Sequence, residues 1–329
     1  MSAEGDKQTA MLSAPSNPSS LTIGTRGSPL ALVQAHEARS RLLAAFPDLD
    51  VAIRVIRTTG DAITDRTLAA IGGKGLFTKE IEQALIDGTI DLAVHSMKDV
   101  PTILPEGLII DCFLPREDPR DGFFSSRASN LDGLAPGAVV GTASLRRTAQ
   151  LRHARPDLVV VPLRGNVDTR LRKLEDGLVD ATLLAVAGLK RLGHAEKITQ
   201  ILPPEIMLPA VAQGAIGIER RERDDRVATY LAALNDPATA TRVEAERALL
   251  TTLDGSCKTP IAALAEFAPD GALRLRALIV RPDGTEQYAA ERWGAPADAA
   301  RLGIDAGEEL RRRAGPGFFD LPVPEATTL

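Results

Sequence analysis

The sequence predicts an α/β protein with two similar lobes on mainly parallel sheets, followed by a smaller C-terminal α+β domain. A chain of 329 residues exceeds the length at which one hydrophobic core usually stops growing. Short β-branched runs alternate with amphipathic helical patterns, which is typical of parallel α/β sheets. A strand, turn and helix unit also occurs twice, at 23–28 (IGTRGS) and at 140–144 (VGTAS), so we expect two lobes of the same plan.

The predicted strands of the two lobes are 21–25, 51–57, 90–95, 139–142, 158–162 and 181–186. Ligands of open α/β sheets bind at the carboxyl ends of the strands, so we expect a cleft between the lobes. A glycine-rich insertion at 58–77 in the first lobe predicts a lid over this cleft.

The last third of the chain has a different pattern. It predicts a helix at 243–253, strands at 259–267, 272–280 and 286–292, and a helix from 298 to about 313. Gly255 is expected to end the first helix, which leaves Ser256 and Cys257 in an exposed turn. The expected divisions are a disordered polar tail (1–20), domain 1 (21–115 with 215–233), domain 2 (116–214) and domain 3 (236–329).

Composition and charge exclude several classes of protein. Hydrophobic residues make up 44% of the chain and charged residues 25%, and no apolar run approaches the roughly 20 residues that span a bilayer. Residues 1–20 lack the features of a secretory signal. A net charge of -5 argues against general binding of nucleic acid. The expected location is the cytoplasm, because Cys112 and Cys257 form no pattern typical of disulfides or metal sites.

Each repeated turn offers a site for an anion at the start of a helix. In the first, Ser28 suits the N-cap and Pro29 the first helical position. Each turn alone is explained equally well by helix capping. Arginines dominate the basic residues near these turns, and a guanidinium binds carboxylate in a bidentate manner. We therefore expect a ligand with several carboxylates, while a phosphate ligand stays possible and no nucleotide-binding motif occurs.

The segment 95–101 (HSMKDVP) places Lys98 and Asp99 at the carboxyl end of a strand. Asp99 could act as a general acid or base, or stabilise a cation formed on the substrate. It could equally pair with Lys98 or cap the next element. His95 is expected to be a hydrogen-bonded strand residue, and the four histidines show no metal-ligand spacing, so no metal is expected.

The residues alone leave three interpretations of Cys257: a buried structural residue, a nucleophile, or a covalent anchor. The local sequence has no signature of a cysteine hydrolase. Cys112 lies in an apolar run and is expected to be a thiol of a strand core.

Several segments together resemble the porphobilinogen deaminase (hydroxymethylbilane synthase) family: 24–32, 72–77, 95–101, 116–121, 141–147, 163–166 and 185–192. The resemblance runs from about residue 21 to the C-terminus. It implies a transferase that joins four porphobilinogen molecules head to tail, with release of ammonia, into hydroxymethylbilane for haem and related tetrapyrroles. It also implies a dipyrromethane cofactor, held by a thioether to Cys257, with no metal or nucleotide.

Carried over by position, the family's catalytic aspartate is Asp99, which would stabilise the cationic intermediates. The implied groups that bind cofactor and substrate are Arg26, Ser28, Lys74, Lys98, Thr142, Ser144, Arg146, Arg147, Arg164, Arg170 and Arg191. Ser256 and Ala212 stand where glycine is usual, and Ala70 where lysine is common. The resemblance further suggests a cytoplasmic monomer that passes its product to uroporphyrinogen-III synthase.

Two other functions are weaker alternatives. The two-lobe plan resembles that of type II periplasmic binding proteins, which would suggest a binding or sensor protein, but there is no export signal and the third domain has no part in such a protein. A cysteine hydrolase or transferase would need a histidine placed to activate Cys257, and no such histidine is indicated.

Overall fold

The computed structural model describes residues 20–62, 77–255 and 259–320. Most of the predicted tail, most of the predicted lid and residues 256–258 lie outside these ranges. The strands are β1 (Ser20–Arg26), β2 (Asp50–Ile56), β3 (Leu92–Ser96), β4 (Leu108–Phe113), β5 (Asp121–Ser125), β6 (Val139–Gly141), β7 (Val159–Val161), β8 (Ala181–Ala185), β9 (Gln200–Ile201), β10 (Ile216–Arg221), β11 (Ile261–Phe267), β12 (Leu273–Val280) and β13 (Gln287–Gly294).

The helices are α1 (Pro29–Ala45), α2 (Thr59–Ala62), α3 (Lys79–Ile86), α4 (Leu145–Ala154), α5 (Val167–Glu175), α6 (Val186–Arg191), α7 (Asp225–Ala232), α8 (Pro237–Thr252) and α9 (Ala299–Ala314). A 3₁₀ turn over Met97–Asp99 follows β3 directly. No helix of the described part of the chain is long and apolar enough to cross a membrane.

The two lobes have the same sheet topology, which confirms the predicted repeat. Lobe 1 is the sheet β2-β1-β3-β10-β4, and lobe 2 is the sheet β7-β6-β8-β5-β9. In lobe 1, β1 lies parallel to β2 and β3, and in lobe 2, β6 lies parallel to β7 and β8. The fourth strand of each sheet, β10 or β5, is antiparallel to both of its neighbours.

The antiparallel strands are those that the chain enters after crossing between the lobes. The chain leaves lobe 1 after β4 and returns after β9, through two crossing segments at 114–120 and 202–215. The crossing segments lie side by side, because Glu117 N donates to Gly214 O at 3.3 Å and Arg116 Nε donates to Gln213 O at 2.9 Å. The two connections between the lobes are therefore joined to each other by hydrogen bonds.

The C-terminal domain consists of the antiparallel sheet β11-β12-β13 with α8 and α9. Along β12 the buried residues alternate, and Leu273, Leu275 and Ile279 belong to a core formed with the two helices. This core continues into lobe 1, since it includes Met97, the first residue of the 3₁₀ turn, and Val100, which directly follows the turn. The predicted fold class is therefore confirmed, and lobe 1 shares a core with the C-terminal domain.

The end of α8 differs in detail from the sequence prediction. The residue with a left-handed backbone is Asp254 (φ 50°), not Gly255. Asp254 N donates to Thr251 O and Gly255 N donates to Leu250 O, which is the Schellman pattern of helix termination. Gly255 instead lies in a close contact: a Cβ there would lie 2.5 Å from Ile261 Cδ1 and from Leu250 Cδ1, so both side chains would have to shift to admit it.

Candidate active site

Asp99 lies at the carboxyl end of β3, as the sequence predicted, in a cavity of lobe 1. Arg26, Ser28, Phe77 and His95 also line this cavity. The Asp99 side chain is 37% exposed, and its Oδ2 lies 3.9 Å from Arg26 Nη1. The Arg26 guanidinium stacks 4.1 Å from the centre of the Phe77 ring. Asp99 is thus an accessible carboxylate whose neighbouring cation, Arg26, is held by an aromatic face.

Lys98 projects from the same turn towards basic residues of lobe 2. Desolvation, opposed by the charge of Asp99 and reinforced by the charges of Arg147 and Arg170, lowers the pKa of Lys98 to about 8. Desolvation likewise lowers the pKa of Arg170 to about 10, with Arg147 and Arg164 contributing and Asp99 opposing. Lys98 and Asp99 of lobe 1 therefore lie within electrostatic range of Arg170 of lobe 2, Arg147 influences both Lys98 and Arg170, and Arg164 influences Arg170.

Arg146 and Arg147, on the first turn of α4, share a buried carboxylate that sequence reasoning missed. Arg146 Nη2 and Arg147 Nη2 each lie 2.7 Å from an oxygen of Asp121, which is fully buried and also accepts from Gln213 Nε2 at 2.9 Å. Burial alone would raise the pKa of Asp121, but the two guanidiniums hold it below its usual range. The one sequence feature that could have indicated this carboxylate is that an acidic residue, Asp121, begins the apolar strand 121–125.

The other Nη atoms of this pair bind main-chain carbonyls. Arg146 Nη1 donates to Leu208 O at 2.7 Å, and Arg147 Nη1 donates to Leu183 O at 2.9 Å. The Nε atoms of both arginines are buried without a hydrogen-bond partner among the described residues. Two guanidiniums share one carboxylate, so this cluster has a net positive charge, and its two Nε–H groups donate to no described residue.

The predicted helix caps are confirmed in both lobes. Ser28 Oγ accepts from Ala31 N at 3.3 Å, with Pro29 at the first position of α1. Ser144 Oγ accepts from Arg147 N at 3.5 Å, and Thr142 Oγ1 accepts from Ser144 N at 3.2 Å. These three hydroxyls therefore have a structural role whether or not they bind a ligand.

Arg191 lies away from this cluster, at the contact between α1 and α6. Its Nε is 3.5 Å from Glu37 Oε2, and its Nη2 donates to Gly214 O at 3.1 Å. Burial lowers the pKa of Arg191, while Glu37 opposes this effect. These contacts join lobe 1, lobe 2 and a crossing segment, so its observed contacts fit a role in holding the lobes together.

His95 and Cys112 have the structural roles expected from the sequence, and four other candidate positions lie outside the described ranges. His95 Nε2 is 2.9 Å from Glu219 Oε2, and both side chains are buried. Burial raises the pKa of Cys112 to about 12, in line with a core thiol. Within 20–62, 77–255 and 259–320, no group of three His, Cys, Asp or Glu side chains could hold a metal. Candidate positions outside the described residues are Lys74, Ala70, Ser256 and Cys257.

Two models of one family match the chain in succession. The model described as porphobilinogen deaminase, dipyrromethane cofactor binding domain, matches residues 21–229, and the C-terminal domain model of the same family matches residues 240–312. The chain belongs to the porphobilinogen deaminase family. It is accordingly a transferase that joins porphobilinogen units into hydroxymethylbilane, and the cleft residues described above all fall within its cofactor-binding domain.

Individual porphobilinogen deaminases are similar over nearly the whole chain. The chain is 60% identical to the porphobilinogen deaminase of Paracoccus denitrificans, over 93% of this chain and 97% of that protein. It is 57% identical to the chloroplastic enzyme of Pisum sativum, over 91% of this chain and 83% of that protein. Among solved structures, the methionine-binding protein MetQ is 14% identical with a TM-score of 0.42, over 66% of this chain and 91% of that one.

Proposed function

We propose that the four condensations of hydroxymethylbilane synthesis take place in the cleft between the lobes, at Asp99. The observation that carries this proposal is the accessible carboxylate of Asp99, 3.9 Å from Arg26 Nη1 at the end of β3. Lys98 of the same turn is within electrostatic range of Arg147 and Arg170 of lobe 2. The cleft thus has one accessible carboxylate among several cations. This arrangement suits a substrate that is anionic at its edge and becomes cationic at its reacting centre.

Asp99 stabilises the positive charge that develops during each step. The C–N bond of the protonated aminomethyl group of porphobilinogen breaks, ammonia leaves with the electron pair, and the cation spreads from the methylene carbon onto the pyrrole nitrogen. A C–C bond then forms to the terminal pyrrole, whose α-carbon loses a proton. A carboxylate beside the pyrrole N–H is already in place before the charge forms, and it stabilises the charge as it develops. This is preorganised electrostatic catalysis.

The basic side chains hold the carboxylates of the growing chain. Each pyrrole carries an acetate and a propionate, and Arg26, Lys98, Arg164 and Arg170 supply cations around the cleft. The unpartnered Nε donors of Arg146 and Arg147, with the charge excess around Asp121, also fit an anionic ligand. We assign the same binding role to Lys74, Ser28, Thr142 and Ser144, and to Arg191 in addition to the contacts by which it joins the lobes.

The residues present fit a dipyrromethane, which would bring four carboxylates into this basic cleft. We propose that it is bonded through a thioether to Cys257. When bound, it supplies the free pyrrole α-carbon to which the first substrate unit is joined. In support, α8 ends at Thr252 and β11 begins at Ile261, so position 257 lies in the connection between a helix and a strand of the C-terminal domain.

Other parts of the proposal concern the whole protein. We propose that it works in the cytoplasm as a monomer and passes its product to uroporphyrinogen-III synthase. We also propose that its domains follow the boundaries predicted from the sequence.

Asp99→Ala tests the role of Asp99, with Asp87→Ala as the control because Asp87 is an exposed aspartate of the same lobe, at the end of α3. Loss of a group that stabilises transition-state charge slows a reaction by about 10²- to 10³-fold. We expect Asp99→Ala to carry the cofactor or its precursor by intact mass yet to release almost no product, while the control turns over normally. Near-normal release by Asp99→Ala would remove Asp99 from the catalytic role.

A further inference from the structure

The turn that carries Asp99 is anchored to the C-terminal domain as well as to lobe 1. Met97 and Val100 flank Lys98 and Asp99 and are only 2% and 5% exposed. Both belong to the core that α8 forms with its sheet, where Val243 is also buried. Lys98 and Asp99 face the cleft, whereas their apolar neighbours on either side point into the C-terminal domain.

Arg247 of α8 reinforces this anchor through the main chain. Its Nη1 donates to Val100 O at 3.2 Å, and its Nη2 donates to Pro101 O at 2.6 Å. Burial lowers the pKa of Arg247, and among the described residues no carboxylate forms an ion pair with it. A desolvated guanidinium needs hydrogen bonds to compensate for the loss of water, and here the carbonyls directly after Asp99 provide them.

The same helix leads to the proposed point of cofactor attachment. Arg247 lies five residues before the end of α8 at Thr252, which is about 7.5 Å along the helix axis. Position 257 follows five residues after that end. The same helix therefore donates to the carbonyls that follow Asp99 and precedes position 257 in the chain.

We propose that Arg247 is a positioning residue that keeps Asp99 in register with the C-terminal domain while the pyrrole chain grows. The inference rests on the proposed roles of Asp99 and Cys257. Arg247 acts through the carbonyls of Val100 and Pro101 and touches neither substrate nor cofactor. Its loss lets the carboxylate of Asp99 shift relative to the reacting carbon, and a misplacement of about 1 Å can reduce a rate by about 100-fold.

The test compares Arg247→Met with Arg247→Lys and with the control Arg242→Met. Arg242 lies on the same helix, but its Nε donates to Ala238 O of that helix at 2.9 Å. For each protein, intact mass gives the cofactor load, and kcat and KM are measured per loaded molecule below the onset of thermal unfolding. We expect Arg247→Met to lower kcat about 10- to 100-fold with a much smaller rise in KM, since Lys98 is the one proposed carboxylate-binding side chain that shares the turn with Asp99. Arg247→Lys should recover part of kcat, and Arg242→Met should match the wild type.

A double variant separates positioning from mere stabilisation. If Arg247 acts through Asp99, Arg247→Met in an Asp99→Ala background should cause no further loss of kcat. If Arg247→Met does not fold, the same comparison is made with Arg247→Lys. An unchanged kcat per loaded molecule in a folded Arg247 variant, or a rise in KM alone, would overturn the proposal. Failure of the proposed function has a different signature, namely normal turnover by Asp99→Ala in an otherwise wild-type chain.

Discussion

The buried carboxylate of Asp121 gives the sharpest test of the electrostatics of lobe 2. In the variant Asp121→Asn, the guanidiniums of Arg146 and Arg147 lose the negative charge that each meets at 2.7 Å. The side chains of all three residues are at most 6% exposed, so water cannot replace that charge. Removing one partner from a buried ion pair costs about 3 to 5 kcal/mol, a large share of the 5 to 15 kcal/mol that stabilises a typical domain.

The free energy of unfolding, measured by urea denaturation, checks this prediction. The control is Asp157→Asn, because Asp157 pairs with Arg155 on the surface of the same lobe and its loss should change the free energy of unfolding little.

The effect of Asp121→Asn should also depend on pH, because the paired arginines lower the pKa of Asp121 in the folded state. Its contribution to stability is therefore full above about pH 4, the unfolded pKa, and is lost as the pH falls towards the folded pKa. The difference between the wild type and Asp121→Asn should shrink below pH 4, and a loss of less than about 1 kcal/mol at pH 7 would refute the reasoning.

Two further predictions concern Lys98 and Ala212. Because desolvation lowers the pKa of Lys98 to about 8, its ammonium is lost above that pH, so the KM for porphobilinogen should rise above about pH 8; in Lys98→Arg this inflection should disappear, and its persistence would assign it to another group. Ala212 has a left-handed backbone (φ 57°), which costs an L-residue about 1 to 2 kcal/mol. Ala212→Gly should therefore change the free energy of unfolding by less than about 0.5 kcal/mol, because relief of strain offsets the lost methyl group and the flexibility of glycine. Ala215→Gly, at a buried position outside the left-handed region, should lose about 1.5 kcal/mol, and equal losses at both sites would contradict the assigned strain.

The repeated lobes could be predicted from the sequence because their signals are local. Each lobe contains a unit of an apolar strand, a turn and a capped helix, and the structure has β1 with α1 and β6 with α4 at those places. The antiparallel strands β5 and β10 were not predicted, since nothing local shows that the chain crosses to the other lobe before each of them. Their direction follows from the crossing segments, which only the folded chain brings together.

The site was predictable to a similar degree. Lys98 and Asp99 could be found because they end a strand, and parallel strands present their carboxyl ends at one edge of the sheet. Asp121 was missed because its partners lie 25 and 26 residues away, and no periodicity links an acid to a distant pair of arginines. In the sequence, Arg191 could not be distinguished from the other arginines expected to bind the ligand. In the structure, its contacts with Glu37 and with Gly214 O distinguish it.

The end of α8 shows a similar limit. Glycine is the usual left-handed residue after a helix, so Gly255 was the natural candidate, yet Asp254 takes that conformation. Gly255 lies close to the side-chain ends of Ile261 and Leu250, which would have to shift to admit a Cβ. A glycine in a sequence cannot by itself distinguish backbone freedom from close packing.

The central claim is that pyrrole units are added to a primer tethered at Cys257, and the mass of the intact protein tests it most directly. Freshly purified wild type should exceed the mass of its sequence by two condensed pyrrole units, and porphobilinogen should add further units stepwise. Cys257→Ser should lack the excess, whereas Cys112→Ser, which alters a buried thiol of lobe 1, should keep it. An unmodified mass in active wild type, or an excess that survives in Cys257→Ser, would contradict the claim.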